Sequence, residues 1–281
     1  MRIELATEPG DPARPNEDYV SVALPASGQG GVLVLLDGVT PPAGDDGCVH
    51  SVPWFTARLG GALGELSVSR RDMPLTDVLS TAISRTADAH RDTCDLSHQR
   101  TPQATAVVVR WDTDRVEHLV LSDSALLIEA PDGTVSAVLD RRLDELPSEV
   151  RAFRDRVRAL PRGSAERAAL GREYGAAVEA LRNAEGGFYT AAADPSVAER
   201  AVTGELRRSE VRSLAALTDG VTRWVETFRE GDWPECFAVL RKEGPQALID
   251  RVRTLERTDP EGATFPRGKP HDDAAAALVE L

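Results

Sequence analysis

One tetrapeptide, Asp-Gly-Val-Thr, closes two separate apolar runs: Gly31-Val-Leu-Val-Leu-Leu-Asp37-Gly38-Val39-Thr40 and Ser213-Leu-Ala-Ala-Leu-Thr-Asp219-Gly220-Val221-Thr222. A short continuous apolar run bounded by a turn signal predicts a buried strand, so each aspartate stands where such a strand meets the surface. A single Asp-Gly pair is an ordinary turn. Asp18, Asp123 and Asp272 occupy similar positions, and the set points to cation chemistry. Magnesium and manganese prefer oxygen ligands and retain several waters, so a few aspartates can hold two such ions side by side. Ions roughly 3.5–4 Å apart share a water, lower its pKa and aim it at a phosphorus. One carboxylate must lie between them, and others hold each ion from outside. A backbone carbonyl beside a glycine can add an oxygen, because the missing side chain permits close approach.

The elements that must position these groups follow from patterning. Asp18 to Leu24 and Val32 to Leu36 read as strands joined by a turn at Gly28, Gly30 and Gly31. Helices are predicted near Val52 to Leu66 and from Leu75 to about Thr93, the latter started by Pro74 and Thr76 with Asp77 in its first turn. Ala104 to Trp111, Val116 to Leu121, Ala125 to Ile128 and Thr134 to Leu139 form a meander of antiparallel strands with short turns. From Asp140 to about Asn183 the composition shifts to Arg, Glu and Ala at helical spacing, broken by Pro161-Arg-Gly163. Strands return at Gly187 to Thr190, Leu214 to Leu217 and Ala274 to Leu281, with helices over Val221 to Phe228 and Cys236 to Arg257. Strands and helices segregated in this way indicate an α+β chain with antiparallel sheets rather than a βαβ fold.

Composition narrows the partners. The 281 residues carry a formal charge of -13, which repels nucleic acid and anionic membranes at long range and suits hard cations. No apolar run approaches the roughly 18 residues that span a bilayer, and the first residues lack a signal-peptide pattern. Cys48, Cys94 and Cys236 are odd in number and not in metal-site spacing, which predicts a reduced cytoplasmic protein. His50, His90, His98 and His118 show no ligand spacing either, and His271 reads as a surface loop histidine. Ser122 and Ser124 flank Asp123 without a His-Asp set, which argues against a serine nucleophile. Lys242 and Lys269 are the only lysines, a bias that fits a GC-rich bacterial genome.

The ordered motifs resemble the metal-dependent PPM, or type 2C, serine/threonine protein phosphatases across nearly the whole chain. Asn16-Glu17-Asp18 resembles the family's N-terminal acidic motif, and Val32 to Gly38 its apolar strand ending in Asp-Gly. Gln103 to Val109 is similar to its Gly-Ser/Thr-Thr-Ala strand, and Leu121 to Ile128 to its Gly-Asp-Ser-Arg strand pair. Ala216 to Thr222 is similar to its Ser-Asp-Gly motif, and His271-Asp272-Asp273 stands in the place of its Asp-Asn motif. The resemblance implies a sandwich of two antiparallel sheets flanked by helices, an α-β-β-α arrangement in one domain over residues 1–281. A helical flap-like insertion would occupy about 140–187. It implies two manganese or magnesium ions, with Asp37 bridging and Gly38 giving its carbonyl. Asp18 would hold the second ion, Asp219 and Asp272 the first, and Asp123 would join Asp219 at a third, looser one. Asp272 is preferred to Asp273 as the first residue of the family pair, and Glu17 would act through water. The substrate implied is a phosphorylated protein.

The chain also departs from the family. The phosphate-binding arginine stands five residues before the first-motif aspartate in the family, and that position is Ala13 here; Arg14, one residue on, is the candidate for its role. Where the family has a glycine-rich turn, often with a histidine, this chain has Val39-Thr-Pro-Pro-Ala-Gly44. Two functions therefore compete: a phosphatase that hydrolyses phosphoserine or phosphothreonine with activated water, and a phosphatase-like binding or regulatory domain without turnover. Retention of acidic residues at all five ligand positions favours the first, because clustered carboxylates are costly to keep.

Overall fold

The computed structural model describes residues 1–281 except Ala43, Asp45 and Arg162, so Ala43 of the Val39–Gly44 stretch and Arg162 of the Pro161–Gly163 stretch lie outside the described residues. Two five-stranded antiparallel sheets make its centre. In the first, β1 (Arg2–Glu8), β10 (Ala274–Glu280), β9 (Ser213–Leu217), β6 (Ala125–Glu129) and β7 (Val135–Val138) lie in that order. The second runs β2 (Tyr19–Ala23), β3 (Gly31–Leu36), β4 (Ala106–Trp111), β5 (Arg115–Leu121) and β8 (Val202–Arg207). The fold is the expected α+β arrangement.

Its layers explain why the central strands are apolar without alternation. Leu33, Leu35, Val107, Val109, Leu126, Leu214, Ala216, Ala275 and Ala277 pack between the sheets. The alternate residues of β3 and β4 point the other way, onto α1 (Val52–Ser69) and α2 (Leu75–Asp88), through Phe55, Leu59, Leu63, Leu79 and Ile83. Those of β9 and β10 meet α5 (Asp219–Glu226), α6 (Trp233–Glu243) and α7 (Pro245–Thr258), through Val221, Phe237, Leu240 and Leu248. A strand covered on both faces has no polar side to show. The chain thus stacks helix, sheet, sheet and helix.

Between β7 and β8 lie α3 (Ser148–Ala159) and α4 (Ala165–Glu179), whose described residues bury no side chain fully. They touch each other through the rings of Phe153 and Tyr174, 5.9 Å apart and edge-on. Several elements differ from the sequence reading. β1 and β8 were not anticipated, because both are edge strands whose alternating, half-exposed residues lack an apolar run. Gly187 to Thr190 is no strand but passes through isolated bridges, Phe188 with Arg182 and Ala191 with Ala104. α2 stops at Asp88, and the turns that follow carry His90 to Cys94.

Strand register decides where the aspartates fall. Tyr19 pairs with Leu36, so one further step sets Asp18 opposite Asp37. Ala125 and Ala276 both pair with Leu217, so two steps beyond Leu217 set Asp123 opposite Asp219, with Asp272 just ahead of β10. One end of each sheet therefore supplies carboxylates to the same place.

Candidate metal centre

Hydrogen bonds across the sheets lock that convergence. The Asp219 amide donates to Asp37 Oδ2 at 3.3 Å, and the Thr218 hydroxyl donates to Asp18 Oδ2 at 2.8 Å. Thr218 is itself fixed by β10, whose Ala275 amide donates to its hydroxyl at 2.8 Å. The Asp37 backbone is held against Thr105, whose hydroxyl accepts the Asp37 amide at 3.1 Å and contacts Ser124 Oγ at 2.7 Å. Gly38 must be glycine: a Cβ there would lie 2.4 Å from the Glu17 carbonyl oxygen and 2.6 Å from Val52. Asp123 follows Ser122, whose positive φ of 69° turns the chain at the end of β5 and whose hydroxyl donates to Asp123 Oδ1 at 3.1 Å.

Asp272 and Asp273 divide their work. Asp273 accepts the amides of Gly10 and Glu17, both at 2.7 Å, and so ties down the loop before Asp18. Asp272 faces the cavity and accepts Arg223 and Lys269, each at 2.8 Å. Behind it stands the fully buried Glu256 of α7, which accepts Arg223 at 2.6 Å and Arg253 at 2.9 Å and meets His271 Nδ1 at 2.7 Å. Arg253 reaches on to the Asp272 carbonyl at 2.7 Å. His271 is thus an anchor on Glu256 rather than a free surface histidine. Such a network is costly to break, since removing one partner leaves buried charge uncompensated.

The electrostatics are those of too many carboxylates in too little water. Burial raises Asp37 and Asp18 well above the ordinary carboxylate range, and repulsion from Asp219 and the other aspartates adds to it. Asp219 is pushed up to about 7 by burial, with Asp272 and Asp123 next in effect. Burial also raises Asp123. Asp18 Oδ1 is buried with no hydrogen-bond partner among the described residues. An all-oxygen donor set with an unpartnered buried carboxylate oxygen fits a hard divalent cation.

The cavity measures about 330 Å³ and is lined by Asp37, Gly38, Thr40, Asp123, Asp219 and Asp272, with Arg182, Arg223 and Lys269 as its cations. Arg14 is elsewhere: it sits in an exposed turn, its amide donating to Asp11 O at 3.0 Å, and does not line the cavity. A larger groove of about 700 Å³ shares Asp123, Asp219 and Arg223 with it and extends past Arg141, Arg154 and Arg158.

No family model and no curated protein matches the sequence. Solved structures do match. Stp1 from Staphylococcus aureus, a serine/threonine phosphatase, superposes with a TM-score of 0.60 at 13% identity, over 99% of this chain and 94% of that one. The Mycobacterium tuberculosis serine/threonine phosphatase PstP/Ppp gives 0.56 at 16% identity, over 100% and 98%. The catalytic domain of the phosphatase PstP in complex with two manganese ions gives 0.54 at 12%, over 99% and 97%. This chain has the type 2C phosphatase fold.

Within that type 2C fold, sequence reasoning missed two groups of residues. Arg182 and Lys269 face the aspartates from the α4 end and the last loop, and nothing in their local sequence distinguishes them from surface cations. The second group corrects an expectation. Cys48, His50, His90 and Cys94 come together, their potential ligand atoms all within 4.8 Å of one another. The signal was present as two half-patterns, Cys-x-His and His-x3-Cys, separated by two helices. Neither half resembles the paired Cys-x2-Cys spacing that usually draws attention.

Proposed function

We propose that the chain is a divergent type 2C phosphatase that hydrolyses phosphoserine or phosphothreonine on proteins with manganese or magnesium. In this reading residues 1–281 act as one domain and about 140–187 serve as its flap. The observation that carries it is the meeting of Asp18, Asp37, Asp123, Asp219 and Asp272 at one end of both sheets, with Asp18 Oδ1 buried and without a partner among the described residues. Asp37 would lie between two ions with the Gly38 carbonyl beside it. Asp18 would hold one ion, Asp219 and Asp272 the other, and Asp123 would join Asp219 at a third position. Bound ions would supply an ionised water for attack at phosphorus and charge to offset the phosphate.

The chain's own residues orient and neutralise. Lys269 bridges Asp272 and the Thr40 hydroxyl, at 2.8 and 3.0 Å, and places a cation on the cavity wall. Arg182 is the better candidate than Arg14 for the phosphate fork. Its Nε is buried without a partner among the described residues, it lines the cavity, and its guanidinium carbon lies 5.3 Å from the centre of the Phe188 ring. A planar guanidinium can meet two phosphate oxygens at once, which a lysine cannot. The adjoining arginine-lined groove suits the polypeptide on either side of a phosphorylated residue.

A second reading, a phosphatase-like binding domain without turnover, draws support from Asp272, both of whose oxygens are engaged by Arg223 and Lys269. Turnover separates the two. An aryl phosphate and a phosphothreonine peptide should be hydrolysed with manganese, and not by chelated protein. Calorimetric manganese binding with no hydrolysis of either substrate would overturn the enzyme in favour of the binding domain.

A further inference from the structure

Cys48 and His50 belong to the segment that leads from Asp37 and Gly38 to α1, whereas His90 and Cys94 follow the end of α2. Each pair is preset by local geometry. His90 and Cys94 are four residues apart in a helical turn, the Cys94 amide donating to the His90 carbonyl at 3.0 Å, so both side chains leave from one face. Cys48 and His50 are two apart, and the His50 amide donates to Cys48 Sγ at 3.4 Å. The segment is pinned on either side: the Cys48 amide donates to Asp46 Oδ1 at 3.0 Å, and the Asp95 amide to the Gly47 carbonyl at 2.7 Å. Gly47 has φ +73°, and a Cβ there would lie 2.5 Å from that of His98, so the approach of the two segments requires glycine.

The distances between ligand atoms are those of a small coordination shell. His50 Nδ1 lies 3.3 Å from Cys94 Sγ and 3.8 Å from Cys48 Sγ, and His90 Nδ1 lies 3.5 Å from Cys48 Sγ. A tetrahedron with about 2.3 Å to sulfur and about 2.0–2.1 Å to nitrogen has sulfur–nitrogen edges of about 3.6 Å. The two sulfurs, 2.7 Å apart, form the one edge that must widen by about 1 Å for an ion to enter. His90 is 2% exposed, and its Nδ1, the ring nitrogen that faces Cys48 Sγ, would be the atom that holds the ion. Trp54 closes the cluster from one side, its ring stacked on His50 at 4.0 Å and 5.2 Å from His90.

We infer that Cys48, His50, His90 and Cys94 form a structural zinc site that fastens the segment after Asp37 and Gly38 to the end of α2. Two thiolates and two imidazoles select a borderline-soft ion over the oxygen-seeking magnesium and manganese. Four protein ligands fill a tetrahedron and leave no position for water or substrate, so the ion holds rather than reacts. None of the four lines the aspartate cavity. What they hold is the far end of the segment that carries Thr40, whose hydroxyl meets Glu17 and Lys269. The inference is independent of the phosphatase reading, since the donor atoms are different.

The test uses the full chain purified under reducing conditions without added metal. Elemental analysis should find about one zinc per chain, and the same in Asp37→Asn. The Cys48→Ser and Cys94→Ser variants should lose it. Because those variants could misfold, the parent is also exchanged with cobalt, which should show the strong visible bands of a tetrahedral ion together with a thiolate charge-transfer band. A mercurial should release zinc in step with modification of Cys48 and Cys94, mapped by peptide mass spectrometry. Zinc below about one tenth of an equivalent in the parent, with a six-coordinate cobalt spectrum, overturns the site. So does a Cys48–Cys94 disulfide in freshly purified protein, or zinc unchanged in both serine variants.

Discussion

The aspartate cluster and the cysteine–histidine cluster lie at opposite ends of one connecting segment, and they solve opposite problems. The first gathers like charges and leaves a cavity of about 330 Å³ beside them, with one buried Asp18 oxygen unpartnered among the described residues. The second gathers two thiols and two imidazoles within 4.8 Å of one another, with Trp54 stacked on His50. An open, oxygen-lined centre keeps room for water and substrate; a closed one spends every coordination position on the protein. On the two proposals made above, one chain would separate reactivity from fastening by ligand softness.

The sharpest way to break this contrast is to remove one ligand from each centre and look for crossover. Asp37→Asn should lower hydrolysis of an aryl phosphate by more than about 100-fold, since even outer contacts to a metal site are worth about 10–100-fold. Its zinc content should stay at the parental level. Loss of zinc in Asp37→Asn would mean that the two centres are one cooperative unit and would end the comparison.

Next in size is the phosphate fork. Arg182→Ala should raise KM by about 10–100-fold, the equivalent of roughly 1.5–3 kcal/mol for a charge-assisted hydrogen bond, with Arg182→Lys only partly restoring it. Manganese affinity should hold, and Arg14→Ala should behave as the parent. A parental KM for Arg182→Ala together with a raised one for Arg14→Ala would return the role to the loop before Asp18.

How much of this was legible in the sequence follows the same division. The central strands were readable because β3, β4 and β9 are buried on both faces and so print continuous apolar runs. The aspartates were readable because Asp37 and Asp219 close such runs; register then sets Asp18 opposite Asp37 and Asp123 opposite Asp219, and hydrogen bonds between the sheets join the two pairs. The edge strands β1 and β8 were not, since half-exposed alternation in charged sequence resembles a loop. Arg182 could not be recognised, because its importance comes from where α4 ends rather than from its neighbours in sequence. The proposed zinc ligands were concealed by distance: the packing of α1 on α2 and the bond from the Asp95 amide to the Gly47 carbonyl bring Cys48 to Cys94.

A smaller effect is expected from the fastening. Cys48→Ser should lower the melting temperature by about 6–12 °C, taking roughly 3–4 kcal/mol for the lost clip and about 2–3 °C per kcal/mol at this chain length. Activity should fall only a few-fold, through looser placement of Thr40. Differential scanning calorimetry and steady-state kinetics on one preparation check both. A variant that melts like the parent yet has lost zinc would show that the ion is bound but fastens nothing.

The last prediction concerns pH and the aspartate centre. Asp219 is raised from the ordinary carboxylate range to about 7, and Asp18, Asp37 and Asp123 are raised with it, chiefly by burial. Between about pH 4 and 7 the folded, manganese-free chain therefore binds more protons than the unfolded one, and stability falls as pH rises. Each such group lowers stability by at most about 1.4 kcal/mol per pH unit between its unfolded and folded pKa; the stability is present in full below the unfolded pKa and lost as pH rises through the folded one. Magnesium or manganese should flatten the slope, because a cation replaces the protons as the neutralising charge. Urea midpoints at several pH values, with and without magnesium, measure it. Stability that rises with pH across this window in metal-free protein would mean that the aspartates are solvated and ionised, and that the cavity between the sheets is too wet to hold an ion in place.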